Sequence, residues 1–256
     1  MAWFVRYSGG PERKNMNTLT LPPAQLRDTM SRLPYFRGWD PCLVARLAGA
    51  ARQFVAAKEE PLLTKGEVPE SLYVVIGGQV RLFIPLSNGM ERIISLVAPG
   101  EGYGEVSLLL NGPLPYAVSA CRSSHIVAIH GHTYLRELGA VPAMQERTLK
   151  LIAKQFHTTL QDMEICSQPS SVQKVIRYLM NLQPSPETTD YSVNLPGRKR
   201  DIASKLGLTQ ETFSRVLGFL GQQGVITVKG GEIRIDTAAK LRQMNAAICD
   251  KDMAKA

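Results

Sequence analysis

The segment from 198 to 235 constrains the fold more than any other part of this chain. It contains two short apolar stripes at helical spacing, with Gly207 between them. The first stripe consists of Ile202, Ala203 and Leu206, and the second of Phe213, Val216, Leu217 and Leu220. Gly207 can adopt the positive φ at which helices commonly end, and Thr209 is a suitable N-cap for the next helix. The pattern predicts a helix-turn-helix.

A strand hairpin is predicted directly after the second helix, which Gly224 ends. The runs 225–228 and 232–235 are strand-like, and a Lys-Gly-Gly turn at 229–231 separates them. Because side chains alternate along a strand, one set should face inward. The residues predicted to face inward are Val225, Thr227, Ile233 and Ile235. The helices and this hairpin together predict a winged helix.

The face of the second helix opposite its apolar stripe carries side chains suited to DNA. The predicted base-reading residues are Gln210, Glu211, Ser214 and Arg215. Arginine can bond bidentately to guanine, and glutamate can accept from the cytosine amino group. The predicted phosphate contacts are Arg198, Lys199, Arg200, Lys205, Thr209, Thr212 and Lys229. A winged helix that binds protein instead of DNA is the alternative.

Positive charge is concentrated in the same part of the chain. Residues 170–256 hold thirteen basic and eight acidic residues, a net +5, whereas the longer segment 1–169 carries a net +3. This balance favours a polyanionic partner, with nucleic acid ahead of acidic lipid. Charge that serves only solubility is the alternative explanation.

The residues before this segment predict a β domain. From about 54 to 130, short apolar runs are separated by turns rich in glycine. The predicted strands are Leu72–Ile76, Val80–Ile84, Ile93–Val97, Tyr116–Arg122 and His125–Ile129. Evenly spaced strands of this kind form a sandwich, barrel or jelly roll. Helices are predicted at 23–33 and, after the start signal Asp40-Pro41, at 40–52.

A long helix is predicted between the two parts, from Pro142 to Ile165. Its apolar positions recur at spacings of three and four residues. They are Leu149, Ile152, Phe156, Leu160 and Met163. Such a seam is typical of a helix that pairs with a second helix, so we expect a homodimer. A helix packed on its own domain is the alternative.

In this order, the elements resemble the CRP/FNR family of bacterial transcription regulators over roughly 24–243. The matching segments are the strand pattern Gly66…Tyr73–Leu82, then Asn88–Glu91, Pro99–Glu101, Gly104-Glu105 and the recognition segment Leu206–Leu217. Glu211, Ser214 and Arg215 are similar to the FNR branch, including its haem- and nitric-oxide-responsive nitrate respiration regulators. The resemblance implies an α+β fold with an N-terminal cyclic-nucleotide-binding-type β jelly roll, a long dimerisation helix and a C-terminal winged helix-turn-helix.

The resemblance also implies the domain organisation and the function. The expected segments are a disordered leader at 1–22 (with Met16 as an alternative start), the sensor domain at 23–140, the dimerisation helix at 141–168, the DNA-binding domain at 169–245 and a tail at 246–256. The expected function is signal-controlled, homodimeric transcription regulation on a palindromic double-stranded DNA site with TTGAT-like half-sites, and the sequence leaves activation and repression open. RNA polymerase is the further partner that an activator requires.

The expected effector pocket includes Gly104, Glu105 and Tyr116. Cyclic-nucleotide binders of this family place an arginine followed by serine or threonine after the Gly-Glu segment, where this chain has Pro115 and Tyr116. Burying a phosphate without its arginine is unfavourable, so we expect no tight binding of cyclic AMP. Glu105 can still meet a ligand hydroxyl.

We expect no [4Fe–4S] cluster, because no cysteine precedes Cys42 and Cys42 has no C-x₂-C partner. The four cysteines are Cys42, Cys121, Cys166 and Cys249. The other candidate cofactor is a haem that senses nitric oxide, carbon monoxide or redox state. Its candidate axial ligands are His125, His130, His132, His157 and Cys121.

Two other functions compete with DNA-binding regulation. His130, His132 and Glu137 resemble the first metal motif of a cupin enzyme, but a long helix follows where the second motif should lie. We therefore expect no enzyme. A jelly-roll adaptor without DNA activity is the other rival. Dispersed cysteines, the lack of a secretory signal and the lack of an apolar run long enough for a membrane span predict a cytoplasmic protein without membrane contact.

Overall fold

The computed structural model describes residues 17–19, 22–185 and 187–253. Its helices are α1 (Pro23–Arg32), α2 (Pro41–Gly49), α3 (Glu105–Leu110), α4 (Gly131–Ala140), α5 (Pro142–Ser167), α6 (Ser171–Asn181), α7 (Lys199–Leu206), α8 (Gln210–Gln222) and α9 (Ala238–Met253). Its strands are β1 (Asn17–Leu19), β2 (Ala51–Ala56), β3 (Pro61–Leu63), β4 (Ser71–Gly77), β5 (Val80–Pro85), β6 (Glu91–Val97), β7 (Gly102–Tyr103), β8 (Ala117–Ala120), β9 (Ser124–His130), β10 (Tyr191–Asn194), β11 (Ile226–Lys229) and β12 (Glu232–Ile235). Among these helices, none is both long and apolar enough to cross a membrane.

Two antiparallel sheets form the predicted jelly roll. Their strand orders are β1-β2-β9-β4-β7 and β3-β8-β5-β6. β4 is buried on both faces, because Tyr73 and Val75 pack in one apolar cluster while Leu72 and Val74 pack in a second cluster with α1, α2 and α4. Burial on both faces explains why β4 reads as a continuous apolar run instead of an alternating one.

The sequence signals predict the start of α2 correctly but not its end. Asp40 caps the helix, since its Oδ1 accepts from the backbone N–H of Cys42 at 2.9 Å and of Leu43 at 3.1 Å. The predicted end at 52 is wrong, because α2 ends at Gly49 and β2 begins at Ala51. Pairing of β2 with β9 along its whole length overrides the helical spacing. The short helix α3 was not predicted.

Both predicted terminal segments need correction. The leader 1–22 was expected to be disordered, but Asn17–Leu19 form β1 and pair antiparallel with β2. Residues 1–16, including the alternative start Met16, lie outside the described residues. The tail was expected to begin at 246, but α9 continues without a break to Met253.

The helix-turn-helix prediction is confirmed by α7 and α8. Gly207 lies between them with a φ of +68°, and the predicted stripe of α8 is buried. The small sheet has the order β10-β12-β11. Of the four hairpin residues predicted to face inward, Val225, Ile233 and Ile235 are buried, whereas the prediction for Thr227 is wrong because its side chain is exposed. Ile226 lies opposite Ile235, and cross-strand partners share a face, so β11 packs through Ile226.

Candidate DNA interface and effector cavity

The helix α8 presents a polar face to solvent. Thr209 caps it, with Oγ1 accepting from the backbone N–H of Thr212 at 3.2 Å. The four predicted base-reading side chains, Gln210, Glu211, Ser214 and Arg215, are all exposed. The apolar stripe packs in the core of the C-terminal domain. This burial fixes which side of α8 is free to enter a groove.

Glu211 lies in the first turn of α8. Its own backbone N–H and the Thr209 hydroxyl hydrogen-bond its carboxylate, and these bonds lower the pKa of Glu211. The charge also lies at the positive end of the helix dipole. Glu211 is therefore held as an ionised acceptor, which is the form that a base amino group requires.

The seven predicted phosphate contacts fall into two groups. Thr209 and Lys229 are exposed, and Lys199 and Thr212 are half-buried. The other three, Arg198, Arg200 and Lys205, are engaged in ion pairs with residues of the jelly roll or of α5. These three side chains would have to exchange their carboxylate partners for phosphate. The phosphate-contacting role of all seven residues stays a prediction.

Glu59 joins the jelly roll to the helix-turn-helix. Its Oε1 accepts from Arg198 Nη1 at 2.9 Å and from Arg200 Nη2 at 2.6 Å, and its Oε2 lies 3.0 Å from Arg81 Nη2. Burial alone would raise the pKa of Glu59, but the Arg198 hydrogen bond and the three positive charges outweigh it, so that the pKa is lowered. In the same part of the structure, Lys205 Nζ pairs with Asp162 Oδ2 at 2.9 Å.

Further bonds hold the two domains together. The Ser204 Oγ donates to the backbone oxygen of Glu91 at 2.5 Å and accepts from the Ile93 N–H at 3.0 Å. Gln79 Nε2 donates to the backbone oxygen of Pro196. These partners lie more than one hundred positions apart in the chain, as do Glu59 and its arginines. No local sequence signal identifies such pairs, and sequence reasoning missed them.

The predicted seam on α5 is largely uncovered in the single chain. The exposed fractions are 68% for Leu149, 63% for Phe156, 47% for Leu160 and 61% for Met163. Ile152 is half-buried. The opposite side of α5 faces a cavity, which Leu151, Gln155, Thr158 and Asp162 help to line. The alternative, that the seam packs on its own domain, does not match these exposures.

The cavity of about 640 Å³ lies between the jelly roll and α5. Glu105 and Tyr116 of the expected effector pocket line it, as do Tyr35 and Tyr103, whereas Gly104 is not among the lining residues. Gly104 lies just before α3 with a φ of +96°, which favours glycine there. Burial, and secondarily the Glu105 charge, raise the pKa of Tyr116, so its hydroxyl is a neutral hydrogen-bonding group.

Glu105 is the most deeply buried carboxyl group among the described residues that line this cavity, with 2% exposure. Its Oε1 accepts from Gln155 Nε2 at 2.6 Å, while Oε2 is buried and has no hydrogen-bond partner among the described residues. No arginine is among the described residues that line the cavity. The cationic side chains that line the cavity are Lys154 and Lys205. Lys154 is exposed, and Lys205 is paired with Asp162.

The candidate haem ligands do not converge on this cavity. His125 Nε2 lies 3.0 Å from Gln53 Oε1, and burial lowers the pKa of His125. His130, His132 and His157 are exposed, and Cys121 is buried elsewhere. Within the described cavity wall there is no histidine, cysteine or methionine, so these residues do not fit a haem.

Glu137 of the cupin-like motif is engaged in two ion pairs. Glu137 Oε2 lies 2.8 Å from Arg46 Nη2, and Oε1 lies 3.0 Å from Arg136 Nη2. Among the residues that the structure describes, no group of three or more histidine, cysteine or acidic side chains could hold a metal. The geometry gives the metalloenzyme alternative no support.

Two family matches coincide with the two domains. Residues 173–244 match the Crp-like helix-turn-helix domain, and residues 53–139 match the cyclic nucleotide-binding domain. The first match contains α7, α8 and the wing, and the second contains most of the jelly roll. Both are binding domains, and neither is a catalytic family.

Similar proteins extend the match along the chain. The cyclic AMP receptor protein of Thermus thermophilus is 26% identical over 215 residues, which is 84% of this chain and 98% of that protein. FixK2 from Bradyrhizobium japonicum has a solved structure with a TM-score of 0.63 at 24% identity, covering 75% of this chain and 96% of that one. A CooA variant from Carboxydothermus hydrogenoformans has a TM-score of 0.67 at 15% identity, covering 82% and 92%. At these identities, the two solved structures support the shared fold alone.

Proposed function

This chain belongs to the CRP/FNR family of transcription regulators, and we propose that it acts as a homodimer which reads a palindromic DNA site. The family consists of DNA-binding regulators and not of enzymes. In the proposed complex, two copies of α8 enter successive major grooves about 34 Å apart. A signal received in the jelly roll changes how the two helices are placed.

The observation that carries this proposal is the polar face of α8. Its apolar stripe is buried while the side chains on the other face are free. We assign Arg215 to the guanine of a TTGAT-like half-site, because arginine binds the O6 and N7 atoms of guanine bidentately. Glu211 is assigned to a cytosine or adenine amino group on the opposing strand, and Ser214 to a neighbouring thymine.

The homodimer is supported by the uncovered seam of α5. Leu149, Phe156 and Met163 are each more than half exposed, and monomers rarely leave such a contiguous apolar stripe in water. Pairing with the same stripe of a second copy would bury it with twofold symmetry. The same symmetry would present two copies of α8 to a palindrome.

The proposed signal is a small molecule in the cavity between the jelly roll and α5. The Glu105–Gln155 hydrogen bond joins the cavity to the dimerisation helix, so a ligand there can bias the position of α5. The relative from Thermus is named as a receptor for cyclic AMP. Here Pro115 and Tyr116 replace the expected phosphate-binding pair, and the unpartnered Oε2 of Glu105 favours a hydrogen-bond donor. We therefore propose an effector other than a cyclic nucleotide.

The function is tested by fluorescence anisotropy with a labelled palindrome of TTGAT half-sites and a duplex of the same composition with scrambled half-sites. We expect the palindrome to bind at least about 1,000-fold more tightly at physiological salt. Equal affinity for the two duplexes overturns sequence-specific regulation, and no binding to either one favours an adaptor. Isothermal titration with cyclic AMP tests the effector, and micromolar affinity contradicts that part of the proposal.

A further inference from the structure

We propose that Glu59 of the jelly roll is an autoinhibitory latch, which holds Arg198 and Arg200 away from DNA phosphates until the two domains separate. The inference rests on the proposed function, because it concerns two of the predicted phosphate contacts. The latched form binds DNA more weakly than a form in which residue 59 carries no charge.

Arginines occupy both carboxylate oxygens of Glu59. Oε1 accepts from Arg198 at 2.9 Å and from Arg200 at 2.6 Å, and Oε2 pairs with Arg81 at 3.0 Å. The side chains of Arg198 and Arg200 are 35% and 47% exposed, so both lie where a phosphate could replace the carboxylate. A guanidinium makes the same kind of charged hydrogen bond with phosphate as with carboxylate, so the two acceptors compete for it.

The turn that carries Glu59 fixes its position from within the jelly roll. Glu59 has a φ of +65°, a backbone conformation that residues with a side chain rarely adopt. Its N–H donates to the backbone oxygen of Ala120 at 2.8 Å, and the Glu60 carboxylate accepts from the Ala57 N–H at 2.6 Å. Such conformations persist only where the surroundings hold them, and they cluster at functional sites.

The charges explain why Glu59 acts as the latch. Arg198 also donates to Asp201 at 2.8 Å, but Asp201 belongs to α7 and stays with it when the domains separate. Among the described ion pairs, Glu59 is the acid of the jelly roll that contacts both arginines. Neutralising it leaves two arginines with one nearby acid on their own helix. That surface then carries an excess positive charge, which favours phosphate.

A matched pair of variants isolates this contact. Glu59→Gln removes the charge at the latch and keeps the size of the side chain. Glu91→Gln removes an equally exposed charge that pairs with Arg81 at 3.2 Å and has no ion pair with Arg198 or Arg200 among the described contacts. Binding of both variants and of the wild type to the TTGAT palindrome is measured over a range of salt concentrations.

We expect Glu59→Gln to bind about three- to ten-fold more tightly than the wild type, the range for losing two competing surface ion pairs. The logarithmic salt slope should steepen by up to about two, since each freed arginine adds about one phosphate contact. Glu91→Gln should stay within about twofold of the wild type. Unchanged affinity of Glu59→Gln, or an equal gain in Glu91→Gln, overturns the latch.

A second measurement does not depend on DNA. The Ile93 N–H donates across the domain boundary to the Ser204 hydroxyl, so its hydrogen exchange reports whether the domains are docked. We expect this amide to exchange faster in Glu59→Gln than in Glu91→Gln, and equal rates overturn the latch. If no variant binds the palindrome while Ile93 exchange still depends on Glu59, the DNA proposal fails and Glu59 remains the docking contact.

Discussion

Gln155 of α5 donates a 2.6 Å hydrogen bond to Oε1 of Glu105 at the start of α3. The helix that carries the seam is thereby bonded directly to the most deeply buried acid of the cavity. Burial raises the pKa of Glu105, because desolvation outweighs the bonds that the carboxylate accepts from its own backbone N–H and from Gln155. The ionised carboxylate therefore lowers the stability of the ligand-free protein.

This balance predicts how Glu105→Gln changes stability with pH. Because the pKa of Glu105 is higher in the folded chain than its ordinary value of 4.5, its stabilising contribution is complete below about pH 4.5. That contribution is lost as the pH rises through the folded-state pKa. Glutamine carries no such dependence, so the free energy of unfolding of Glu105→Gln, relative to the wild type, should increase from about pH 4.5 to about pH 7.5.

Urea unfolding at both pH values measures the difference. Glu232→Gln, which removes an exposed carboxylate on the wing, is the control. A relative stability of Glu105→Gln that stays constant or falls over this range contradicts the assignment.

A second prediction concerns the seam of α5. Phe156 is 63% exposed in the single chain, and in a symmetric dimer it would be buried near the middle of the apolar stripe. Phe156→Glu places a charge there, which should weaken dimerisation by more than about 3 kcal/mol. Sedimentation equilibrium should then find a monomer where the wild type is a dimer. Val68→Glu, at a valine between β3 and β4 with 42% exposure, should leave the mass unchanged. If Phe156→Glu remains a dimer, the interface does not lie at this stripe of α5.

Local signals were sufficient to predict much of the C-terminal domain. Gly207 adopts the positive φ that its position after Leu206 suggests, and Thr209 caps α8 through a bond between near neighbours. Because the spacing of apolar residues decides which side of α8 is buried, the exposure of Arg215 also followed from sequence. Both features depend on residues within a few positions of each other.

Long-range contacts account for what the sequence did not predict. Glu59 meets Arg198 across 139 positions, and nothing in the charge pattern distinguishes this acid from Glu60 beside it. Asn17–Leu19 form a strand because β2 offers a free edge, which their own composition does not reveal. The cavity likewise depends on how α5 packs against the jelly roll. The identity of a ligand there is determined by side chains from several distant segments.

A third prediction separates the reactivity of two cysteines. Burial, followed by the negative charge of Asp201, raises the pKa of Cys121 to about 11, although Arg81 and Arg198 partly oppose the shift. Cys42 is exposed. The thiolate is the reactive form of cysteine. Near neutral pH, iodoacetamide should therefore modify Cys121 more than about tenfold more slowly than Cys42. Peptide mass spectrometry over time measures both rates. Equal rates would show that Cys121 is accessible and available for redox chemistry.

The last prediction tests the base-reading role of Arg215 against a phosphate contact. Arg215→Ala should weaken binding to the TTGAT palindrome by about 1–3 kcal/mol and flatten the preference for the guanine, because a bidentate contact is lost. Lys229 lies exposed on the wing, where it can meet the backbone but reads no base. Lys229→Ala should therefore weaken all duplexes alike and reduce the salt slope by about one. Anisotropy titrations with the four base pairs at the guanine position separate the two effects. If Arg215→Ala keeps the wild-type order of preference among them, another residue reads that base, and the orientation proposed for α8 in the groove is wrong.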